Sequence, residues 1–276
     1  MAANRFYKLL IFIFVLLSIG LTSLATNIDS LKACISDQKS SDLVPTLNTL
    51  AKLLLYEQPD ESAGFSKQAI SVAKIINDYE GLSIGHIYLG HYYIHNGIFD
   101  SAFLNYQTAT NISRQHKLHS LHAKALSGLG DYYNRRMQFD SANLIIERAI
   151  EISKSNNLES QLPALYNSLA AIADSEGNYT KAIELFFEAE KYYQINGDVN
   201  NRAIVLNNIA SVYMTQDKYV KAISFFDSAV SLNLNPTWLL WNSVCWIASI
   251  YKISGTLHIF SLPLACVCSL WPHIFD

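Results

Sequence analysis

The chain has 276 residues; half are hydrophobic, 16% are charged, and the formal net charge is −3. That balance excludes a nucleic-acid-binding surface, which needs clustered Lys and Arg, and the longest basic cluster is Arg135-Arg136. The length leaves room for one extended array or two compact domains, and Cys34, Cys245, Cys266 and Cys268 form no spaced framework that could hold it by disulfides.

At the N-terminus, Arg5 and Lys8 precede an uncharged run from Leu9 to about Leu24, and Ser23 and Ala25 fit the small positions of a cleavage site. This is the layout of a secretory signal peptide over 1–25, cleaved after Ala25. The alternative, an uncleaved membrane anchor, is slightly short for a span. Both readings predict an exported, periplasmic chain. Residues 26–40 follow as an N-terminal segment.

From 41 to 236 one pattern recurs about every 40 residues. Small residues stand at Ala51, Gly90, Gly130, Ala170 and Ala210, and an alanine follows twelve later at Ala63, Ala102, Ala142, Ala182 and Ala222. Seven further on come Ala109, Ala149, Ala189 and Ala229, with Ile70 departing in the first block. A period of this size marks a repeat array. Each block holds two helical patterns: the third runs through Ala125, Leu129, Gly130 and Tyr133, breaks at Met137-Gln138, and resumes at Phe139 with Ala142, Ile145, Ile146, Ala149, Ile150 and Ile152 on one face. The same unit reads over 83–114, 163–194 and 203–232. Gly97 and Gly177 fall in the turns, where a left-handed backbone is inexpensive.

The small residues predict close helix packing, because interaxial distance depends on the side chains at the contact. Gly or Ala at 90, 130, 170 and 210 admits the second helix of the same unit, and Ala at 102, 142, 182 and 222 serves from the other side. Two columns are expected to fill the remaining space: Phe99, Phe139, Tyr179 and Tyr219, and Tyr106, Phe186 and Phe226 with Ile146 substituting. The first block is weaker, with Thr49 and Lys67 where apolar residues are expected.

The order Leu129-Gly130-x-x-Tyr133, Phe139, Ala142, Ile146, Ala149 resembles the tetratricopeptide repeat, as does Leu89-Gly90-x-x-Tyr93, Gly97, Phe99, Ala102, Tyr106, Ala109. The resemblance covers about 41–234. It implies an all-α, right-handed α-solenoid of about five helix-turn-helix units with a 40-residue period. Against the family's 34 residues, the second helix or its connector is expected to be longer by about two turns. The resemblance also implies a peptide or protein ligand on a concave face lined by the first helices. Carried over by position, the ligand-facing residues are His91, His95, Asp131, Asn134, Arg135, Asn167, Asp174, Asn207 and Ser211. Amide side chains both donate to and accept from a peptide backbone, and Asn167 and Asn207 share a column that could form a ladder. The same residues as a merely solvated surface remain the other reading. The paired Lys and Asn pattern of a carboxylate clamp is missing, so chaperone-tail binding is not expected. Such arrays behind a signal peptide resemble the exported sensor regions of bacterial membrane regulators; the competing reading is a free-standing exported structural or assembly scaffold.

Catalytic signals are weak, so no enzyme and no cofactor are expected. Gly81-Leu82-Ser83-Ile84-Gly85 has the letters of a nucleophile elbow, but Ser83 is placed at the opening of a repeat helix rather than on a strand-to-helix turn. His91 and His95, like His116, His119 and His122, have helical spacing without a further ligand at motif distance, so no metal is expected. Asn111-Ile112-Ser113 and Asn178-Tyr179-Thr180 match glycosylation sequons, meaningful only in a eukaryotic source.

Past Pro236 the character changes. Trp238, Trp241, Trp246, Trp271 and three of the four cysteines fall in this tail, 237–276. Three readings fit it: a membrane span over the uncharged residues 253–275, an atypical capping element, or a disrupted reading frame.

Overall fold

The computed structural model describes residues 28–33, 35 and 39–232. The signal-peptide reading of 1–25 and all readings of 237–276 lie outside them. The described helices are α1 (Ser40–Leu54), α2 (Pro59–Ile76), α3 (Tyr79–His95), α4 (Phe99–Gln115), α5 (His119–Arg135), α6 (Phe139–Ser155), α7 (Leu162–Ser175, entered through a 3-10 turn at Glu159–Gln161), α8 (Tyr179–Ile195), α9 (Val199–Thr215) and α10 (Tyr219–Leu232). No described residue lies in a strand. The architecture is all-α and built of tetratricopeptide-like helical hairpins.

The turns explain the spacing. Asn77, Gly97, Lys117, Met137, Asn157, Gly177, Gly197 and Asp217 all have φ between 56° and 83°, one every twenty residues. The N–H of the following residue reaches back to a carbonyl five positions earlier, as in Ile98 to Tyr93 at 2.8 Å, Leu118 to Ser113 at 2.8 Å and Lys218 to Tyr213 at 2.9 Å. This is the Schellman closure, which satisfies carbonyls the helix end leaves open. Two such turns make up each 40-residue unit, which is therefore split into two halves of twenty residues. α3, α4, α5 and α6 each have 17 residues, so the length in excess of 34 is shared by both helices. The expectation of a longer second helix or connector is corrected accordingly.

The first block is corrected too. α2 starts at Pro59, forty residues before α4 at Phe99, and it buries Ser62, Ser66, Ala69 and Ala73 where α4 buries Ala102, Tyr106, Ala109 and Ser113. The block did not depart at Ile70: its equivalent of Ala109 is Ala69, and Ser62 and Ser66 hid the register because they replace an alanine and an aromatic. Ser83 lies in the second turn of α3 rather than at its opening. It is buried, and its Oγ donates to the Ala109 carbonyl at 3.3 Å.

The chain divides into two compact units, with the described residues up to 185 in one and those from 186 onward in the other. In the first unit each helix from α1 to α7 packs against the next, and the first helices α1, α3, α5 and α7 also pack side by side. The helical stretch 28–33 lies against the first hairpin, where Ile28 joins Leu50 and Leu54 with Leu31 and Phe65 alongside. In the second unit Ala210, Ala222 and Phe226 form a core with Tyr213, Met214 and Phe225. Glu190 of α8 accepts from Arg202 of α9 at 2.5 Å there.

Gly90, Gly130, Ala102, Ala109, Ala142, Ala149, Ala170, Ala182, Ala189, Ala210, Ala222 and Ala229 are all buried. The two large-residue columns differ. Tyr106, Ile146, Phe186 and Phe226 are almost fully buried. Phe99, Phe139, Tyr179 and Tyr219 are half-buried at helix starts, so the expectation that they fill the core is corrected. Helix-start positions lie beside the turns and stay partly open; Phe99, for one, is met by Tyr132 and Arg136.

Candidate functional site

The candidate residues all stand on first helices. His91 and His95 are on α3, Asp131, Asn134 and Arg135 on α5, Asn167 and Asp174 on α7, and Asn207 and Ser211 on α9. Because α3, α5 and α7 pack side by side, the structure gathers the first seven within one unit. Asn207 and Ser211 belong to the other unit, so the proposed ladder from Asn167 to Asn207 joins residues of different units.

Within the first unit the side chains are partly committed to one another. Arg135 Nε lies 3.2 Å from both carboxylate oxygens of Asp131, with both side chains about half-exposed. An exposed pair four apart on a helix contributes only a few tenths of a kcal/mol, so either partner can exchange to a ligand at little cost. His95 is exposed, and its ring meets the edge of Tyr56 with centroids 6.4 Å apart. Asn134 is half-buried, and its buried Oδ1 has no hydrogen-bond donor among the described residues. Burial pushes the Asp174 carboxyl above its ordinary range, since desolvation disfavours the charged form. Asn167, Asn207 and Ser211 are half-buried.

His91 is the most constrained of the set. Its Nδ1 lies 2.8 Å from the Tyr106 hydroxyl, and the two rings meet edge-on with centroids 5.5 Å apart. Burial lowers its pKa below the usual histidine value, opposed by the nearby charge of Asp131. Tyr106 reaches this point from α4 by passing between two glycines. A Cβ placed on Gly90 of α3 would come within 2.6 Å of its ring, and one on Gly128 of α5 within 2.3 Å.

Tyr56, Tyr88, Gly128 and the hydroxyl of Tyr106 were not among the residues selected from sequence. Tyr88 flanks His91 with centroids 6.2 Å apart. Tyr56 follows α1 in the one interhelical turn without a left-handed residue among the described residues, so positional carry-over missed it. Tyr106 was placed in an apolar column with Ile146, Phe186 and Phe226, yet it alone of those four bears a hydroxyl, and this signal was visible.

Among the described residues no group of three or more His, Cys, Asp or Glu could hold a metal ion. His91 spends Nδ1 on Tyr106, and His116 stacks face to face on Tyr79 at 3.6 Å. No helix among the described residues is long and apolar enough to cross a membrane.

Equal helical hairpins closed by Schellman turns, with small residues at each crossing, define a tetratricopeptide-like repeat protein. The model of the soluble NSF attachment protein (SNAP) family matches residues 99–243, just over half of the chain. The chain belongs to that family. No curated protein matches its sequence significantly. Among solved structures it is similar to a Rap protein complexed with competence and sporulation factor, at TM-score 0.67 and 12% identity over 83% of this chain and 68% of that one. It is also similar to a signal transduction ATPase with numerous domains (STAND) from Pyrococcus horikoshii that carries a tetratricopeptide repeat sensor, at TM-score 0.60 and 14% identity over 96% and 44%. BtubC (BKLC) from P. vanneervenii gives TM-score 0.56 and 20% identity over 78% and 90%. Identities this low speak for the fold alone.

Proposed function

We propose that this chain is a non-catalytic scaffold that captures an extended peptide or protein segment along a concave face lined by its first helices. The observation that carries the reading is the polar strip on α3, α5 and α7, where small and aliphatic residues otherwise dominate. The strip includes the unmet acceptor of Asn134 and a weakly held Asp131–Arg135 pair. Both suit a ligand that offers alternating N–H and C=O groups. The likeness to a Rap protein complexed with competence and sporulation factor supports a bound partner, and the likeness to a protein with a repeat sensor supports a sensory role.

Random dodecapeptides displayed on phage and panned against the full chain supply the probe. Changing Asn134 and Asn167, both in the first unit, together to Ala removes two amide side chains, and the enriched peptides are expected to bind about tenfold more weakly. Affinity equal to that of the unchanged chain rejects the face.

The finer reading is the exported sensory half of a membrane-linked signalling or transcriptional regulator. It rests on the signal-like segment 1–25 and on the resemblance of arrays placed behind such segments. Protease added to spheroplasts expressing the full chain is expected to digest the repeat. A chain fully protected under those conditions contradicts export.

A further inference from the structure

Tyr106 brings to its slot a group that packing does not need. The equivalent slots further along the chain hold Ile146, Phe186 and Phe226, each at most 2% exposed, so a side chain without a hydroxyl fills the space. Tyr106 is 0% exposed, and a desolvated hydroxyl must find a partner inside. Among the described residues that partner is His91 Nδ1 alone, at 2.8 Å.

The pairing fixes a hydrogen. Were His91 to donate from Nδ1, the phenolic hydrogen of Tyr106 would be left buried without an acceptor. Tyr106 therefore donates and Nδ1 accepts. A neutral imidazole accepting at Nδ1 carries its own hydrogen on Nε2. The edge-on contact with Tyr106 and the flanking Tyr88 ring hold the imidazole in one orientation on α3. His91 is thus an oriented neutral donor on the first-helix strip. The charges beside it, Asp131 and Arg135, are paired at 3.2 Å and offset each other, which leaves an uncharged acceptor well suited to it.

We infer that the Nε2–H of His91 donates a hydrogen bond to a backbone carbonyl of the captured segment, and that Tyr106 is the positioning residue that fixes this tautomer. The inference rests on the peptide-capture reading. It adds a ligand group, an uncharged carbonyl, and a residue acting through another.

Tyr106→Phe keeps the ring between Gly90 and Gly128 and removes only the hydroxyl. Two-bond proton–nitrogen spectra of the imidazole in the full chain are expected to show a single Nε2–H tautomer for His91, and a mixture in Tyr106→Phe. Phage-selected dodecapeptides, resynthesised with blocked ends, are expected to bind Tyr106→Phe roughly three- to tenfold more weakly. They should bind His91→Ala with a similar loss, and Tyr106→Phe should add nothing in the His91→Ala background. A wild-type His91 protonated on Nδ1 overturns the inference. So does unchanged peptide affinity in Tyr106→Phe while the double Asn134 and Asn167 variant still weakens binding, an outcome that leaves the capture reading standing. Peptides indifferent to every one of these substitutions overturn both.

Discussion

Gly128→Ala is expected to destabilise the protein by about 1–3 kcal/mol, whereas Gly64→Ala is expected to stabilise it by about 0.5–1 kcal/mol. Both glycines sit inside helices, where alanine is intrinsically preferred. They differ in what the added methyl meets. At Gly64 nothing lies within 4 Å, while at Gly128 the methyl would come 2.3 Å from the Tyr106 ring. That ring has little room to step aside, because Gly90 also lies against it, where a Cβ would stand 2.6 Å away. Overpacking therefore outweighs helix propensity at 128 and is absent at 64. Tyr106→Ala empties the slot and should cost about 3–5 kcal/mol, the usual range for a buried aromatic. In that background Gly128→Ala should become neutral or favourable. Urea unfolding of the four species of this cycle measures the coupling, and a cost at Gly128 that persists without the ring would contradict the packing.

Lys117→Gly combined with Met137→Gly should raise stability by about 2 kcal/mol, near 1 kcal/mol per site, since an L-residue held left-handed costs roughly that much. Both residues have φ of 56°, and Met137 is 80% exposed, so glycine forfeits no packing there. For a domain of this size the gain corresponds to a rise in Tm of roughly 4–8 °C. The mirror changes Gly97→Ala and Gly177→Ala, at φ of 69° and 83°, should lower Tm by a similar amount. Asn77, Asn157 and Asp217 should gain less from glycine, because their short polar side chains tolerate this conformation better. An unmoved melting curve for the Lys117 and Met137 pair would refute the turn geometry.

Side-chain size recurring along the chain was enough to dictate paired helices, their small crossing positions and the class of fold, because those properties depend on residues close in sequence. It even located His91, Asp131 and Asn134 on the helices that pack side by side. The even split of each 40-residue unit into two halves was less legible: a left-handed turn is obvious where glycine marks it, as at Gly97, and shows only as a break in the pattern where Lys117 or Met137 adopts it under the pull of the Schellman bonds. The slip in the first block has another cause: Ser62 and Ser66 stand where the next block carries Ala102 and Tyr106, so neither marks the register. Packing in three dimensions alone decided that Tyr106 threads between Gly90 of one hairpin and Gly128 of the next, and that its hydroxyl ends on His91. Residues far apart in order became neighbours there because two helices without side chains at the crossing can approach closely enough for one ring to join them, and no local propensity carries that information.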